Sequence, residues 1–140
     1  MDEGGVWLID TSVWSRTTKP TVMAELEALT DRAGIATCGI VDLEVLFMSR
    51  NAAEHRSHRR KRGLLIQLAM PEDIWTRAID VQALLAAMGH HRAAKLPDLL
   101  IAATAEHHQV GVLHYDKDFD LIAEVTNQPA AWIVERGSAD

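Results

Sequence analysis

The stretch VWLIDTSVWSR, residues 6–16, places a carboxylate directly after a short apolar run. Residues 6–9 are apolar and predict a buried strand, which Asp10 follows at once. Asp, Thr and Ser favour turns and helix caps, so Asp10 can be a simple end to the strand. In an open parallel sheet Asp10 can instead belong to a functional site, because such sheets place their sites beyond the carboxyl ends of the strands.

The composition is that of an ordinary soluble domain with an acidic bias. The 140 residues fit a single domain, and 48% of them are hydrophobic, which is enough for a core; we expect flexible ends at residues 1–5 and about 136–140. The net charge of −6 does not suggest a generic polyanion binder. Cys38 has no cysteine partner for a disulfide, and nothing predicts export or a membrane span, so we expect a cytoplasmic protein.

Short apolar runs alternate with helical patterns along the rest of the chain. Strands are predicted at residues 6–9, 35–38, 110–115 and 131–134, and helices at residues 21–32, 40–50, 53–69, 74–88 and 96–108. Strands separated by helices predict βαβ units with helices on both faces of the sheet. We therefore expect a three-layer α/β/α fold with a mostly parallel central sheet of about four to five strands.

Four acids stand where this architecture gives them a function. Asp10 and Asp116 each follow a predicted strand, so both should lie at the same edge of the sheet. Glu44 stands in the helical segment IVDLEVLFMSR, which is apolar on nearly every side, and a buried carboxylate is costly there without a partner. Asp98 stands in the first turn of a predicted helix, where the helix dipole favours a negative charge. Each acid also has a purely structural interpretation as a loop, cap or surface residue.

The segments LIDTSVW, DLEVLF, LPDLLIAATA and HYDKDF together, in this order and spacing, resemble a PIN domain. More narrowly, the chain resembles the ribonuclease toxins of bacterial VapBC toxin–antitoxin pairs. The resemblance spans residues 6 to about 134 and implies a PIN-like fold. It also implies an acidic quartet, which maps onto Asp10, Glu44, Asp98 and Asp116.

The resemblance suggests supporting residues as well, and the chain departs from the family at one position. Asp118 is implied as an additional or substitute ligand, and Thr11 or Ser12 as the hydroxyl that follows the first acid and orients it. Similar toxins usually carry Thr or Ser two residues before the fourth acid, where this chain has His114. We expect a packed or solvated histidine there, with support of a water or a phosphate as the alternative. The change concerns the local hydrogen bonding more than the metal site.

Four carboxylates close together predict a divalent metal ion, independently of the resemblance. Two carboxylates about 4 Å apart repel by roughly 4 kcal/mol at an effective dielectric of 20, and a hard divalent cation removes that conflict. Oxygen ligands favour Mg²⁺, for which Mn²⁺ can substitute, over zinc. Such a cation orients a water, lowers its pKa and stabilises charge on a phosphodiester, while Glu44 or Asp98 accepts a proton. Together with the resemblance, this chemistry implies a metal-dependent endoribonuclease that hydrolyses RNA.

Three other interpretations stay open. A metal-dependent phosphatase of the haloacid dehalogenase type also begins with an Asp after its first strand, but it needs a second acid where this chain has Ser12. A non-catalytic PIN-like binding module is expected to lack part of the quartet, and no member is missing. In a fully structural interpretation the acids are capping and surface residues. A metal-binding titration separates that interpretation from the enzyme.

The basic run HRSHRRKR, residues 55–62, stands out in an acidic chain. Arg56, Arg59 and Arg60 share one face if the run is helical, and Arg62 flanks them. This face either holds RNA phosphates, or is solvated, or contacts an antitoxin. The resemblance implies three partners, namely a VapB-type antitoxin, an RNA substrate and a second copy of the chain in a homodimer, and it implies no membrane.

Overall fold

The computed structural model describes residues 5–140, which contain five strands and seven helices. In chain order the elements are β1 (Val6–Ile9), α1 (Thr11–Trp14), α2 (Pro20–Thr30), β2 (Gly34–Cys38), α3 (Gly39–Phe47), α4 (Ala52–Arg62), β3 (Ile66–Leu68), α5 (Asp73–Ala87), α6 (Leu96–His107), β4 (Gly111–His114), α7 (Asp118–Thr126) and β5 (Ala130–Trp132). The longest helix, α5, has 15 residues. Within residues 5–140, no helix has both the length and the apolar character needed to cross a membrane.

The five strands form one parallel sheet in the order β3-β2-β1-β4-β5. Strand β1 lies at its centre, where Leu8 pairs with Ala36 of β2 on one side and with Val112 of β4 on the other. The predicted three-layer α/β/α class with a mostly parallel sheet is confirmed, and the sheet is parallel throughout. The carboxyl ends of β1 and β4 therefore meet at one edge, which is where Asp10 and Asp116 follow them.

Side chains that alternate along β1 build a core on each face of the sheet. Leu8 belongs to the core that includes buried residues of α3, α5, α6 and α7. Trp7 and Ile9 point to the opposite face and pack with buried residues of α1, α2 and the C-terminal segment. Because both faces are covered, the central strands are apolar on both sides, as the sequence of residues 6–9 predicts.

The predicted helix at residues 53–69 is wrong in its second half. Helix α4 ends at Arg62, and Gly63 and Leu64 form a turn that leads into the edge strand β3. Ile66 pairs with Ala36 and Leu68 with Cys38 of β2, so contacts between distant parts of the chain override the local helical pattern. The sequence predictions also missed the four-residue helix α1 and the helix α7.

The C-terminal end is packed, although the sequence predicted that residues 136–140 are flexible. Ala139 is buried, and its N–H donates a hydrogen bond of 2.9 Å to the Tyr115 hydroxyl. That hydroxyl donates in turn to Asp140 Oδ1 at 2.8 Å, and the Arg16 guanidinium donates to the Ala139 carbonyl at 3.1 Å. The end of the chain is thus held against Tyr115, just beyond β4. Of the predicted flexible N-terminal end, residues 1–4 lie outside the described part of the chain.

Candidate metal centre

Asp10 is buried at the point where β1 passes into α1, and it caps that helix. Its Oδ2 accepts hydrogen bonds from the Ser12 N–H at 3.0 Å and the Ser12 hydroxyl at 2.5 Å. The Ser12 hydroxyl oxygen also accepts a bond of 2.8 Å from the N–H of Tyr115. Ser12 therefore orients Asp10 and ties the end of β1 to the end of β4.

Glu44 lies half-buried in α3, where it has a partner from a different element. The Thr11 hydroxyl donates to Glu44 Oε1 at 2.9 Å. This contact explains how an acid is accommodated in an otherwise apolar helix. The neighbouring acid, Asp42, has a structural role instead, because it accepts hydrogen bonds from Thr37 and Arg62.

Asp98, Asp116 and Asp118 come from three parts of the chain and converge at one point. Asp98 lies in the first turn of α6, Asp116 follows β4, and Asp118 begins α7. Each of the three offers a carboxylate oxygen within 4.8 Å of those of the other two. The Asp118 N–H donates to Asp116 Oδ1 at 3.0 Å, which fixes the loop between them. Asp10 and Glu44 lie outside this group of three.

The ammonium group of Lys95 lies among these three carboxylates. The sequence did not predict this position of Lys95. Its Nζ is 2.7 Å from Asp116 Oδ2, 2.8 Å from Asp118 Oδ2 and 3.4 Å from Asp98 Oδ2. Lys95 is the residue immediately before α6, three positions before Asp98. A cation is unfavourable at the N-terminus of a helix, and this was the available signal that Lys95 has acidic partners.

Burial and neighbouring charges shift the pKa values of two acids and one lysine in this site. Burial raises the pKa of Asp10, although hydrogen bonds from Ser12 act in the opposite direction. Burial, followed by the negative charge of Asp10, also raises the pKa of Asp98. For Lys95, burial acts to lower the pKa, but the hydrogen bonds to Asp116 and Asp118 outweigh it and the pKa is raised. The carboxylates therefore favour a positive charge among them.

The chemistry of the donors fits a hard divalent cation. Asp10 Oδ1 and Asp98 Oδ2 are buried and accept no hydrogen bond from residues 5–140. Asp98 Oδ2 has an ion pair with Lys95 at 3.4 Å, whereas Asp10 Oδ1 is a buried acceptor without a partner, which is unfavourable and which a cation would satisfy. The candidate ligands offer only carboxylate oxygens, which suit Mg²⁺ or Mn²⁺. Asp98, Asp116 and Asp118 thus form an acidic cluster at the carboxyl edge of the sheet whose chemistry suits a divalent cation.

His114, where the resemblance implies Thr or Ser, is a packed residue. Its side chain is fully buried, with ring centroids 5.1 Å from those of Phe119 and Trp132. Its Nδ1 accepts a hydrogen bond of 3.2 Å from the N–H of Asp116. Burial lowers the pKa of His114 to about 4, so the ring is neutral at pH 7. His114 therefore positions the Asp116 backbone and offers no positive charge to a phosphate.

The basic run divides into exposed and buried side chains. Arg56, Arg59 and Arg60 are exposed on α4. Arg62 is buried, and its guanidinium donates to Asp42 at 2.6 Å and to Thr37 at 2.8 Å. The prediction that Arg62 contacts RNA or a partner is wrong, because its side chain is used inside the protein.

Comparison with known proteins agrees with this architecture. The PIN domain family model matches residues 7–125. Ribonuclease VapC21 of Mycobacterium tuberculosis is 42% identical over 134 residues, which cover 95% of this chain and 97% of that protein. Ribonuclease VapC51 of the same organism is also 42% identical over 134 residues, covering 96% and 97%.

A solved structure shows the same fold at lower sequence identity. The toxin–antitoxin complex from Klebsiella pneumoniae contains a chain that superposes with a TM-score of 0.70 at 22% identity, covering 92% of this chain and 98% of that one. At this identity the likeness concerns the fold alone. The matched family model and the two relatives decide the assignment: the chain belongs to the PIN domain family, in its VapC group.

Proposed function

We propose that this protein is an endoribonuclease and the toxin of a toxin–antitoxin pair. The observation that carries the proposal is the convergence of Asp98, Asp116 and Asp118, beside Asp10, at the carboxyl edge of the sheet. Its relatives across almost the whole chain are named ribonucleases, which supports the same reaction here.

The acidic site would hold Mg²⁺ or Mn²⁺ through Asp10, Asp98 and Asp116, with Asp118 as an additional ligand and Glu44 at its margin. When bound, such an ion orients and activates a water and stabilises the charge that develops on the phosphodiester. Asp10 Oδ1, which is buried and accepts no hydrogen bond from residues 5–140, supports this assignment.

The protein's own residues fix the acids before substrate arrives. Ser12 holds Asp10 through Oδ2, which leaves Oδ1 without a hydrogen bond from residues 5–140. Thr11 holds Glu44 through Oε1, and this leaves Glu44 Oε2 to accept a proton from the attacking water. Asp98 is the second candidate for that proton, because its carboxylate belongs to the same acidic cluster.

The geometry around Ser12 favours a nuclease over a haloacid dehalogenase-type phosphatase. That enzyme needs an acid two residues after the first, where this chain has Ser12. The Ser12 hydroxyl is already used between Asp10 and the Tyr115 backbone, so it supports a carboxylate and does not replace one. A non-catalytic binding module has no need for a buried carboxylate oxygen without a hydrogen bond, such as Asp10 Oδ1.

The partners follow from the proposed function. A VapB-type antitoxin is expected to bind the chain and block the site. RNA is the substrate, the protein acts in the cytoplasm, and a homodimer is the expected assembly. The exposed arginines Arg56, Arg59 and Arg60 are the candidate contacts for RNA or for the antitoxin.

Controlled expression in a bacterium tests the proposal. The wild-type chain should stop growth and produce RNA fragments with new 5′ ends at a defined set of positions, whereas Asp98→Asn should do neither at equal protein level. Co-expression of the antitoxin encoded beside the gene should restore growth. Growth arrest by Asp98→Asn, or arrest by the wild type without new RNA ends, would overturn the proposal.

A further inference from the structure

We infer that Lys95 is an internal cation that competes with the divalent metal for the acidic site. The inference rests on the proposed function, because it concerns the metal that the site would bind. The ammonium group lies 2.7 Å from Asp116 Oδ2 and 2.8 Å from Asp118 Oδ2, with Asp98 Oδ2 at 3.4 Å. A cation supplied by the chain itself thus contacts three of the carboxylates that are assigned to the metal.

The two cations exclude each other. Asp116 Oδ2 and Asp118 Oδ2 each accept a short hydrogen bond from the ammonium group. An ion that binds the same oxygens must break these bonds, and its two positive charges repel the ammonium group at close range. Metal binding therefore requires the Lys95 side chain to leave. The free energy needed to break its hydrogen bonds weakens the apparent metal affinity.

The surroundings of Lys95 allow its side chain to leave while its backbone stays. The backbone N–H donates to Asp118 Oδ2 at 3.0 Å, and the carbonyl accepts from the Asp98 N–H at 3.1 Å. The side chain is 61% exposed, so a rotation about its own bonds takes the ammonium group into solvent. Lys95 can therefore act as a reversible occupant of the site, which keeps the carboxylates together when metal is scarce.

Lys117 offers a matched control in the same loop. It stands between Asp116 and Asp118 in the sequence, and its side chain is exposed. Within residues 5–140, the ion pairs made by the three clustered carboxylates go to Lys95 and not to Lys117. Replacement of either lysine removes one positive charge near the site, but only replacement of Lys95 removes a competitor.

Direct measurement of Mn²⁺ binding to the full chain tests the inference. Calorimetry and electron paramagnetic resonance of free Mn²⁺ would compare the wild type, Lys95→Met and Lys117→Met, each checked for folding by circular dichroism. Lys95→Met should bind Mn²⁺ about tenfold more tightly than the wild type, because two charge-assisted hydrogen bonds no longer have to be broken. Lys117→Met should change the affinity by less than about threefold, as expected for an exposed charge.

The outcomes separate this inference from the proposed function. Equal or weaker Mn²⁺ binding by Lys95→Met, or an equal gain in both variants, would overturn the inference alone. Absence of Mn²⁺ binding in all three proteins would overturn the proposed metal site and the inference with it.

A second experiment needs no variant and stands if Lys95→Met does not fold. Amine acylation of the wild type, followed site by site with mass spectrometry, reports how accessible each lysine is. Saturating Mg²⁺ should speed the modification of Lys95 and leave that of Lys117 unchanged. The same rate at Lys95 with and without Mg²⁺ would contradict its displacement.

Discussion

The hydroxyl group of Thr11 donates a hydrogen bond of 2.9 Å to Glu44 Oε1, across 33 residues of sequence. The next residue, Ser12, donates both its N–H and its hydroxyl to Asp10. Two adjacent hydroxyl residues at the start of α1 thus orient one carboxylate each. The short helix that follows β1 therefore organises acids from two separate elements.

The contact between Thr11 and Glu44 should matter more for activity than for stability. Thr11→Val keeps the shape of the side chain but removes the donor, so we expect RNA cleavage to fall by roughly tenfold or more, as for residues that orient ligands of metal sites. The free energy of unfolding should change by only about 1 kcal/mol, since one hydrogen bond is lost. Thr11→Ser, which keeps the hydroxyl, should retain most of the activity. Equal activity in Thr11→Val and the wild type would remove this contact from the mechanism.

Replacement of a clustered acid by its amide should separate activity from folding. Asp10→Asn, Asp98→Asn and Asp116→Asn should each abolish RNA cleavage. For Asp10→Asn and Asp98→Asn the metal-free protein should stay at least as stable in denaturant unfolding, because burial and neighbouring acids already raise the pKa of both carboxyls. Glu124→Gln removes an exposed acid from α7 and should leave both properties unchanged. Cleavage near the wild-type rate by Asp98→Asn would take Asp98 out of the site.

Arg62 should contribute to stability, unlike its exposed neighbours in the basic run. Its side chain is 7% exposed, pairs with Asp42 and stacks over the Trp14 ring at 4.7 Å. Arg62→Ala leaves Asp42 and Thr37 without this donor, so we expect a loss of about 3 kcal/mol in the free energy of unfolding. Arg60→Ala should cost less than about 0.5 kcal/mol. Similar urea midpoints for the two variants would contradict this assignment.

The exposed arginines of α4 should act on RNA through phosphate contacts. Replacing Arg59 and Arg60 by Ala should weaken binding to all RNA substrates similarly, raise KM more than it lowers kcat, and leave the cut position unchanged. Each lost phosphate contact should flatten the log–log dependence of binding on salt by about one unit, or somewhat less on single strands. Arg92→Ala, which removes an exposed arginine outside α4, serves as the control. An unchanged salt slope together with lost antitoxin binding would assign this face to the antitoxin.

Local patterns predicted most of the fold. The apolar run of residues 6–9 and Pro97 in the first turn of α6 predicted β1 and α6 within a residue. Strand β3 was missed because it has three residues and depends on pairing with β2, a contact that no local pattern contains. The packing of Ala139 against Tyr115 was missed for a similar reason, since that contact spans 24 residues of sequence.

The sequence predicted that acids meet at this edge of the sheet, but it did not predict the cation among them. Asp98, Asp116 and Asp118 stand at strand or helix ends, so the topology alone brings them to one edge. The position of the Lys95 ammonium group depends on side-chain torsions and on the loop between Asp116 and Asp118. Neither is encoded in the spacing of residues. Burial of Arg62 was likewise hidden, because it depends on Thr37 and Asp42 in other elements.

Metal restoration of RNA cleavage tests the central claim most directly. Purified protein would be stripped with chelator, dialysed, and incubated with end-labelled RNA. Mg²⁺ or Mn²⁺ should restore cleavage by the wild type, Zn²⁺ at the same concentration should not, and no ion should restore cleavage by Asp116→Asn. Undiminished cleavage by the wild type in excess chelator, or equal cleavage by Asp116→Asn, would contradict a metal-dependent reaction at this acidic site.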